Sequence, residues 1–381
     1  MKPTADMIII GGGIHGASLA FHLAQRGVKV LLLEKSYLAA GATGRSSGLV
    51  RMHYDLELES RLAWESFQYF RDWRERVGGD CGFRRTGFIY IAPPEQTEAL
   101  KANIQMHQRI GIPSLLVTCS DVGRLAPSFF VDDFDFAAFE PESGYADPNS
   151  STQAFIEAAR RSGAQIVQDC PVTDIILNGG KGDFASPVVV NAAGAWAARV
   201  AQMAGVKIPV NTWRHDTMFV KRPTALRLPH PTVIDDLNSM YFRPESGGLT
   251  LVGLEDGNPL GQSPEGNTDT SLAGFIERAI ERICRRIPAM QSGLLHSSHG
   301  GYDGITPDQR AILGPAGPEG FYLLCGFSGT GFKIAPAVGA CMAEWILNGQ
   351  PETVDITPFK LDRFGKGETL VGEHAYRDIW R

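Results

Sequence analysis

A glycine-rich turn near the start of the chain has the first spacing that could carry chemistry. The stretch Gly11–Gly16 fits G-x-G-x-x-G, and an acid, Glu34, follows about 20 residues later. Glycines at these positions allow a tight turn, close approach of the backbone to a pyrophosphate, and close packing of the next helix. The acid can accept hydrogen bonds from ribose hydroxyls. The pattern therefore predicts a dinucleotide site, without deciding between FAD and NAD.

The residues around this turn predict the elements that position it. Met7–Ile10 is an apolar run long enough for a buried strand, and Val28–Leu33 is a second one. Between them lies a helical pattern that ends at Gly27. Such a unit directs the helix N-terminus, with its free N–H groups and partial positive charge, at the pyrophosphate. The sequence therefore predicts an α/β fold.

Two later turns and one loop extend the predicted site. Val188–Gly194 runs from an apolar strand into a small-residue turn, and Gly326–Lys333 lies between another apolar strand and a helix. The loop Ala39–Gly48 is rich in small residues and hydroxyl groups that can approach a ligand closely. Several such elements indicate an elongated ligand. A positive helix end near residue 331 suits the N1–C2=O edge of a flavin, so the pattern favours FAD over NAD.

The composition argues against several classes of protein. Charged residues make up 20% of the 381 residues and hydrophobic residues 43%, as in an ordinary globular enzyme. The net charge of −6 argues against nucleic acid as a partner. No apolar stretch reaches the roughly 18 residues of a membrane helix. The six cysteines are scattered without a CxxC pair, which predicts reduced thiols, no metal site and a cytoplasmic location.

Several motifs together resemble those of the FAD-dependent amine oxidoreductases of the D-amino-acid oxidase superfamily. They are IIIGGGIHG with Glu34, GATGRSSGLVR, GYADP, VVNAAGAW, TPDQRAILG, GFSGTGFKIAPAVG and ITPFKLDRF, and they cover nearly the whole chain. The chain is most similar to the branch that contains sarcosine oxidase, the sarcosine oxidase β-subunit and glycine oxidase. The resemblance implies a mixed α/β fold, with a Rossmann-type FAD-binding domain and a second, antiparallel-sheet substrate domain.

Both domains are expected to be noncontiguous, because the chain leaves the cofactor-binding pattern and returns to it twice. We expect residues 1–85, 140–208 and 298–381 to form the FAD-binding domain. Residues 86–139 and 209–297 then form the substrate domain. The segment between Val172 and Val188 is shorter than the resemblance leads us to expect for the hairpin on the adenine side.

The resemblance also implies which residues contact the cofactor. They are Gly11, Gly13, Ile14, His15, Gly16, Glu34, Lys35, Thr43, Gly44, Arg45, Ser46, Ser47, Gly48, Val172, Ala193, Gly194, Trp196, Gly304, Gly326, Gly329, Thr330, Gly331, Phe332 and Lys333. Noncovalent FAD is expected. Gly301 stands where related oxidases attach flavin to cysteine, and Arg45 stands where related dehydrogenases attach it to histidine.

Four residues are implied to act on the substrate. Arg51 and Lys333 lie where such enzymes hold the substrate carboxylate, and paired cations suit a buried carboxylate. Tyr241 matches a position that lines the substrate pocket, and Glu255 replaces a pocket histidine. Each has a structural alternative, such as an ion pair for Arg51 or a packed strand aromatic for Tyr241.

These assignments predict that the chain oxidises a carboxylate-bearing amine, such as an N-methyl or α-amino acid resembling sarcosine, glycine or proline. Hydride transfer to flavin N5 would give an imine that water hydrolyses. The alternatives are oxidation of a 2-hydroxy acid and a role as the flavin-carrying subunit of a multi-subunit dehydrogenase. Thr330 replaces the usual histidine of its turn, which leaves the electron acceptor open between O2 and another molecule. A partner subunit and a homo-oligomer also stay open.

Overall fold

The computed structural model describes residues 5–176, 183–226 and 229–376. The strands in these ranges are β1 (Met7–Ile10), β2 (Val30–Leu33), β3 (Leu49–Val50), β4 (Arg84–Arg85), β5 (Phe88–Ile91), β6 (Leu115–Thr118), β7 (Phe136–Glu140), β8 (Gly144–Tyr145), β9 (Gln165–Val167), β10 (Val188–Asn191), β11 (Asn211–Lys221), β12 (Thr232–Asp235), β13 (Met240–Glu245), β14 (Leu249–Leu254), β15 (Leu294–Ile305), β16 (Ile312–Pro315) and β17 (Phe321–Cys325). The α-helices are α1 (Ile14–Gln25), α2 (Glu57–Arg71), α3 (Trp73–Arg76), α4 (Thr97–Ile110), α5 (Cys119–Leu125), α6 (Pro148–Arg161), α7 (Ala197–Met203), α8 (Phe275–Arg286), α9 (Gly331–Asn348) and α10 (Asp362–Lys366).

Six strands form a mostly parallel sheet in the order β16-β17-β10-β1-β2-β9. Strand β1 lies between β2 and β10, so that Met7 has Val30 on one side and Val188 on the other. Strands β1 and β2 are apolar and buried along their whole length, as expected when both faces of a parallel sheet are covered. Helix α1 packs against α6 and α9, and its N-terminus follows directly from the carboxyl end of β1.

Eight strands form a second, mostly antiparallel sheet in the order β15-β11-β14-β13-β12-β5-β7-β6. Because successive side chains of a strand point to opposite faces, the residues of β12 and β13 divide between two cores. Val233 and Phe242 pack in the core that includes α8. Ile234 and Tyr241 lie on the opposite face and line the main cavity. We call this second face the cavity face.

A small three-stranded sheet, in the order β3-β8-β4, delivers one of the predicted substrate residues. Leu49 of β3 and Arg84 of β4 both pair with Tyr145 of β8. Arg51 follows directly after β3, so this pairing positions it at the cavity.

The two large sheets draw on the chain segments that we expected for two domains, and the domain boundaries stay a proposal. Strand β15 begins at Leu294 and runs across the expected boundary at residue 298. Residues 177–182, within the segment that the resemblance shows to be short, lie outside the described residues. No helix in the described ranges is long and apolar enough to cross a membrane.

Candidate cofactor and substrate site

A cavity of about 650 Å³ lies between the six-stranded sheet and the cavity face of the eight-stranded sheet. This volume is typical of small-molecule sites. Most residues expected from the sequence line it: Gly11, Gly13, Ile14, His15, Glu34, Lys35, Thr43, Arg45, Ser46, Ser47, Arg51, Val172, Ala193, Gly194, Trp196, Tyr241, Gly329, Gly331, Phe332 and Lys333. The expected residues that do not line it are Gly16, Gly44, Gly48, Glu255, Gly304, Gly326 and Thr330.

The first glycine turn has the geometry that close approach of a ligand requires. Gly11 has a φ of +115°, which residues with a side chain rarely adopt. A β-carbon on Gly16 would overlap the carbonyl oxygen of Gly11, so Gly16 allows α1 to pack against the turn. The Ile14 N–H donates to Thr43 Oγ1 at 3.1 Å, which joins the turn to the loop after β2. Helix α1 therefore begins with its N-terminus at the cavity, where it can stabilise an anion.

Two backbone N–H groups hold Glu34 against this turn. Its Oε2 accepts a hydrogen bond from Gly12 at 2.7 Å, and its Oε1 accepts one from Ser36 at 2.9 Å. The carboxylate lines the cavity directly after β2. Because a carboxylate has about four lone-pair sites, both oxygens can still accept hydrogen bonds from ribose hydroxyls.

Glu265, which the sequence did not single out, closes the same end of the cavity. It accepts a hydrogen bond from Trp196 Nε1 at 2.7 Å and pairs with Lys35 Nζ at 3.1 Å. The Lys35 ammonium group lies 3.9 Å from the centroid of the Trp196 ring. Glu265 lies in the irregular segment between β14 and α8. A single acid in such a segment carries no sequence signal, so only the fold identifies it.

A stacked ring pair connects the two glycine turns. His15 and Phe327 have centroids 3.5 Å apart and an interplanar angle of 6°. Burial lowers the pKa of His15 to about 3, so its ring is neutral at pH 7. Helix α9 begins at Gly331, where an added β-carbon would stand 2.8 Å from His15 Nε2. The N-termini of α1 and α9 therefore reach the same cavity.

Asp303 holds the second glycine turn in place, and sequence reasoning missed it. Its Oδ2 accepts a hydrogen bond from the Gly329 N–H at 2.6 Å, and its Oδ1 accepts one from the Gly304 N–H at 2.7 Å. Burial raises the pKa of its carboxyl group. Thr330 closes the turn from within, because its hydroxyl donates to the Phe327 carbonyl at 2.8 Å.

Arg51 and Lys333 bring two basic side chains to the cavity wall. They are 4% and 7% exposed, and neither has a carboxylate oxygen within 4.0 Å in the described part of the chain. The Arg51 guanidinium lies 4.4 Å from the Tyr54 ring centroid, and Lys333 Nζ lies 5.5 Å from it. Burial, followed by the charge of Arg51, holds the pKa of Lys333 well below its usual range. Such a pair suits an anionic group of a ligand, whose charge stabilises the protonated lysine.

An ion-pair network lies near these basic groups. Arg310 is fully buried and pairs with Asp55 at 2.7 Å and also with Glu59. Burial raises the pKa of Glu59, and Arg310 acts in the opposite direction. Because Arg310 already engages both acids, Arg51 and Lys333 keep their capacity for a ligand.

A buried cluster of His53, His107 and Glu140 supports the backbone around Arg51. The Arg51 guanidinium donates to the His53 carbonyl, and Glu140 Oε2 accepts from the Met52 N–H at 2.9 Å. Each of the three residues has one atom that could bind a metal ion, and these three atoms lie within 4.8 Å of one another. Among the described residues, this is the one group with that geometry. The hydrogen bonds show how the cluster holds the chain on the C-terminal side of Arg51.

Tyr241 lines the cavity, whereas Glu255 lies beyond its wall next to Asp236. The Tyr241 ring lies across Gly253, where a β-carbon would overlap it. Asp236 and Glu255 follow β12 and β14, whose last residues both pair with Met240 of β13. Burial, followed by the charge of Asp236, raises the pKa of Glu255 well above its usual range. The resemblance indicated Glu255. Asp236 carried no such signal, because an acid at a strand end is common.

These features define a dinucleotide-binding protein in which two glycine turns, two helix N-termini and a ribose-type acid face one cavity. Two basic groups stand on the cavity wall beside the second turn. Residues 6–345 match the model of the DAO family, FAD dependent oxidoreductases, and the chain belongs to this family. The family, the mixed α/β fold and FAD as the cofactor, all expected from the sequence, are confirmed.

Three similar proteins illustrate the range of the family. The chain is 30% identical over 389 residues to the mitochondrial sarcosine dehydrogenase of Mus musculus, covering 96% of this chain and 42% of that protein. It therefore spans less than half the length of this relative. L-proline dehydrogenase from P. horikoshii has a TM-score of 0.89 at 27% identity, covering 97% of this chain and 100% of that chain. Glycine oxidase from Geobacillus kaustophilus has a TM-score of 0.83 at 25% identity, with coverages of 94% and 99%.

Proposed function

We propose that this chain uses FAD to oxidise the C–N bond of a carboxylate-bearing amine, either an N-methyl or an α-amino acid. The observation that carries the proposal is the placement of Arg51 and Lys333, two buried basic groups without a carboxylate partner on the wall of the cofactor cavity. Sarcosine, proline and glycine, after which the three similar proteins are named, each combine a carboxylate with an amine. A substrate of this class supplies the anion that the two side chains lack.

The chain's own residues would bind and orient, while bound FAD supplies the hydride acceptor. We assign the ADP half of FAD to Glu34 and the turn Gly11–Gly16, and the flavin half to the turn Gly326–Lys333. Arg51 can form two parallel hydrogen bonds to a carboxylate, and Lys333 adds a second charge. Holding the carboxylate at two points would fix the adjacent α-carbon, and this orientation is a large part of what an enzyme contributes.

We also propose that FAD is bound without a covalent bond. Arg45 and Gly301 both line the cavity. The resemblance implies that related enzymes attach flavin at these two positions. Neither residue offers a thiol or an imidazole. The hydrogen bonds and helix termini around Glu34 and the two turns are then what retain the cofactor.

Several finer points stay predictions. The electron acceptor is open between O2 and another molecule, since the similar proteins include two dehydrogenases and an oxidase. The cytoplasmic location, and a partner subunit or homo-oligomer, rest on the sequence alone.

The proposal is tested by anaerobic reduction of the purified yellow protein with a panel of amines and 2-hydroxy acids. We expect N-methyl or α-amino acids to bleach the flavin absorbance. Bleaching by hydroxy acids alone would favour the 2-hydroxy-acid alternative, and bleaching by neither class would refute the proposal. Admitting air afterwards separates an oxidase, which recovers its colour quickly, from a dehydrogenase that needs another acceptor.

A further inference from the structure

Two buried carboxyl groups meet where strands β12 and β14 end. Asp236 and Glu255 are 7% and 8% exposed, and each directly follows a residue that pairs with Met240 of β13. Among the described residues, Asp236 Oδ1 and Glu255 Oε1 have no donor. Two carboxylates in contact do not both stay ionised in a buried site, since like charges repel strongly there. One shared proton supplies the missing donor, so the pair carries a single negative charge.

This acid pair belongs to the cavity face of the eight-stranded sheet. Glu255 follows Gly253 by two residues, and the ring of Tyr241 lies across Gly253. Because side chains two positions apart share a face of a strand, Glu255 projects to the same side as Tyr241, which lines the cavity. Leu254, which lies between Gly253 and Glu255 in the chain, packs in the opposite core with α8.

A hydrogen bond from a neutral group holds Asp236 in place and leaves the negative charge of the pair unchanged. The Tyr90 hydroxyl donates to Asp236 Oδ2. The preceding acid, Asp235, is bound instead to Arg286 at 2.7 Å. Burial raises the pKa values of Tyr90 and Tyr376, so both phenols near the pair stay protonated at pH 7. The negative charge of the pair therefore stays available.

The basic groups of the substrate site act electrostatically on the same pair. The charge of Arg51 favours the ionised form of both acids, and Glu255 in turn favours the protonated form of Lys333. Tyr241, whose pKa burial and Glu255 both raise, keeps its hydroxyl proton next to the cavity. A hydroxyl group can accept one proton while it donates another.

We propose that the Asp236–Glu255 pair is the final acceptor of the ammonium proton of the substrate, which the Tyr241 hydroxyl passes on. The inference rests on the proposed amine oxidation. An N–H bond of the ammonium group breaks and leaves its electron pair on nitrogen, while the Tyr241 oxygen takes that proton. The Tyr241 proton moves to the ionised oxygen of the pair, which then holds two protons, and no group is oxidised or reduced in this step. The neutral amine can then lose hydride from the adjacent C–H bond.

The first test uses infrared spectroscopy on the ligand-free holoprotein and needs no substrate. We expect a carboxylic-acid C=O band near neutral pH that shifts in D2O and disappears in Glu255→Gln and in Asp236→Asn. Asp256→Asn is the matched control, because the Asp256 side chain is 48% exposed and pairs with Arg282. Identical spectra for wild type and both acid-pair variants would overturn the shared proton.

The second test follows anaerobic flavin reduction against pH, with an amine that reduces the wild-type flavin. Glu255→Gln should slow reduction about 100-fold at pH 7, the lower range for loss of a general base. Its rate should then rise roughly tenfold per pH unit towards pH 9, as the free amine of ordinary pKa near 10 becomes available. Tyr241→Phe should show the same dependence. A pH profile in Glu255→Gln that matches the wild type would overturn the proposal.

Binding of acetate, a carboxylate without an amino group, separates this role from a structural one. Acetate affinity, measured by the flavin absorbance change, should stay within threefold of wild type in Glu255→Gln and Asp236→Asn. A parallel loss of acetate binding in both variants would show a purely structural role. If no amine reduces the wild-type flavin, the proposed function fails, whereas the infrared result still decides whether the pair shares a proton.

Discussion

Gly301 and Arg45 lie against each other on the cavity wall: a β-carbon built on Gly301 would stand 2.7 Å from the Arg45 β-carbon. The Arg45 guanidinium is held by the Thr268 carbonyl at 3.2 Å and lies 3.7 Å from the Asp269 carboxylate. Arg45 therefore takes the space that a side chain at residue 301 would need. The resemblance implies that related enzymes attach their flavin at these two positions.

We predict from this relationship that denaturation releases all of the flavin. Gly301→Cys should lower FAD loading, because its side chain meets Arg45, and adding Arg45→Ala should restore the loading. The measurement is flavin absorbance in the supernatant after the protein is precipitated. Flavin that stays with the wild-type pellet would contradict noncovalent binding.

Arg51→Ala and Lys333→Met should each weaken the binding of carboxylate ligands. Truncating one partner of a buried charged contact costs about 2–5 kcal/mol, which is roughly 30- to 5,000-fold in affinity. Titration of the holoprotein with acetate, followed by flavin absorbance, gives the dissociation constant. Arg84→Ala, in the exposed strand β4, is the matched control. Unchanged affinity in both variants would refute the carboxylate assignment.

Gly16→Ala should lower both stability and FAD retention. The added β-carbon overlaps the Gly11 carbonyl oxygen, which is backbone and cannot rotate away, so the cost should reach at least the 1–3 kcal/mol typical of overpacking. Gly365→Ala is the control, because nothing lies within 4 Å of a β-carbon at that position of α10. Denaturant unfolding and the FAD content after purification measure the two effects. Equal values for the two variants would argue against close packing at Gly16.

Acid should destabilise the folded protein through its buried neutral histidines. Burial lowers the pKa to about 3 or 4 in His15, His22, His107, His215 and His230. Between these values and the ordinary 6.5, the unfolded chain binds protons that the folded chain does not. The free energy of unfolding therefore falls as pH drops from 6.5 towards 4, and these histidines contribute no slope above 6.5.

His15→Phe tests one member of this set, since phenylalanine keeps a ring next to Phe327. The variant should reduce the slope of unfolding free energy against pH by up to about 1.4 kcal/mol per pH unit between pH 4 and 6. The same change at the exposed His296 is the control. A slope in His15→Phe as steep as in the wild type would mean that His15 is protonated in the folded state.

Short-range patterns were sufficient to predict the first half of the site. The apolar runs Met7–Ile10 and Val28–Leu33 became strands Met7–Ile10 and Val30–Leu33, and the glycine turn and Glu34 follow them at the cavity. Each of these signals lies within a few neighbouring residues: a buried run, a glycine that permits an unusual turn, and an acid after the next strand. These local signals predicted a dinucleotide-binding α/β unit, and the resemblance of the motifs along the chain to a known family then determined the family, the fold class and the cofactor from the sequence alone.

Other parts of the site depend on contacts between distant segments. Glu265, Asp303 and Asp236 are ordinary acids in the sequence, and each gains its role from a partner elsewhere in the chain. His15 and Phe327 lie more than three hundred positions apart, yet their rings stack at 3.5 Å. Residue type limits which bonds a side chain can form, and only the packed path of the chain decides which partner is within reach. That is why Arg51, Lys333 and Glu255 could be expected from the motifs, whereas the pairing of Glu255 with Asp236 required the tertiary structure.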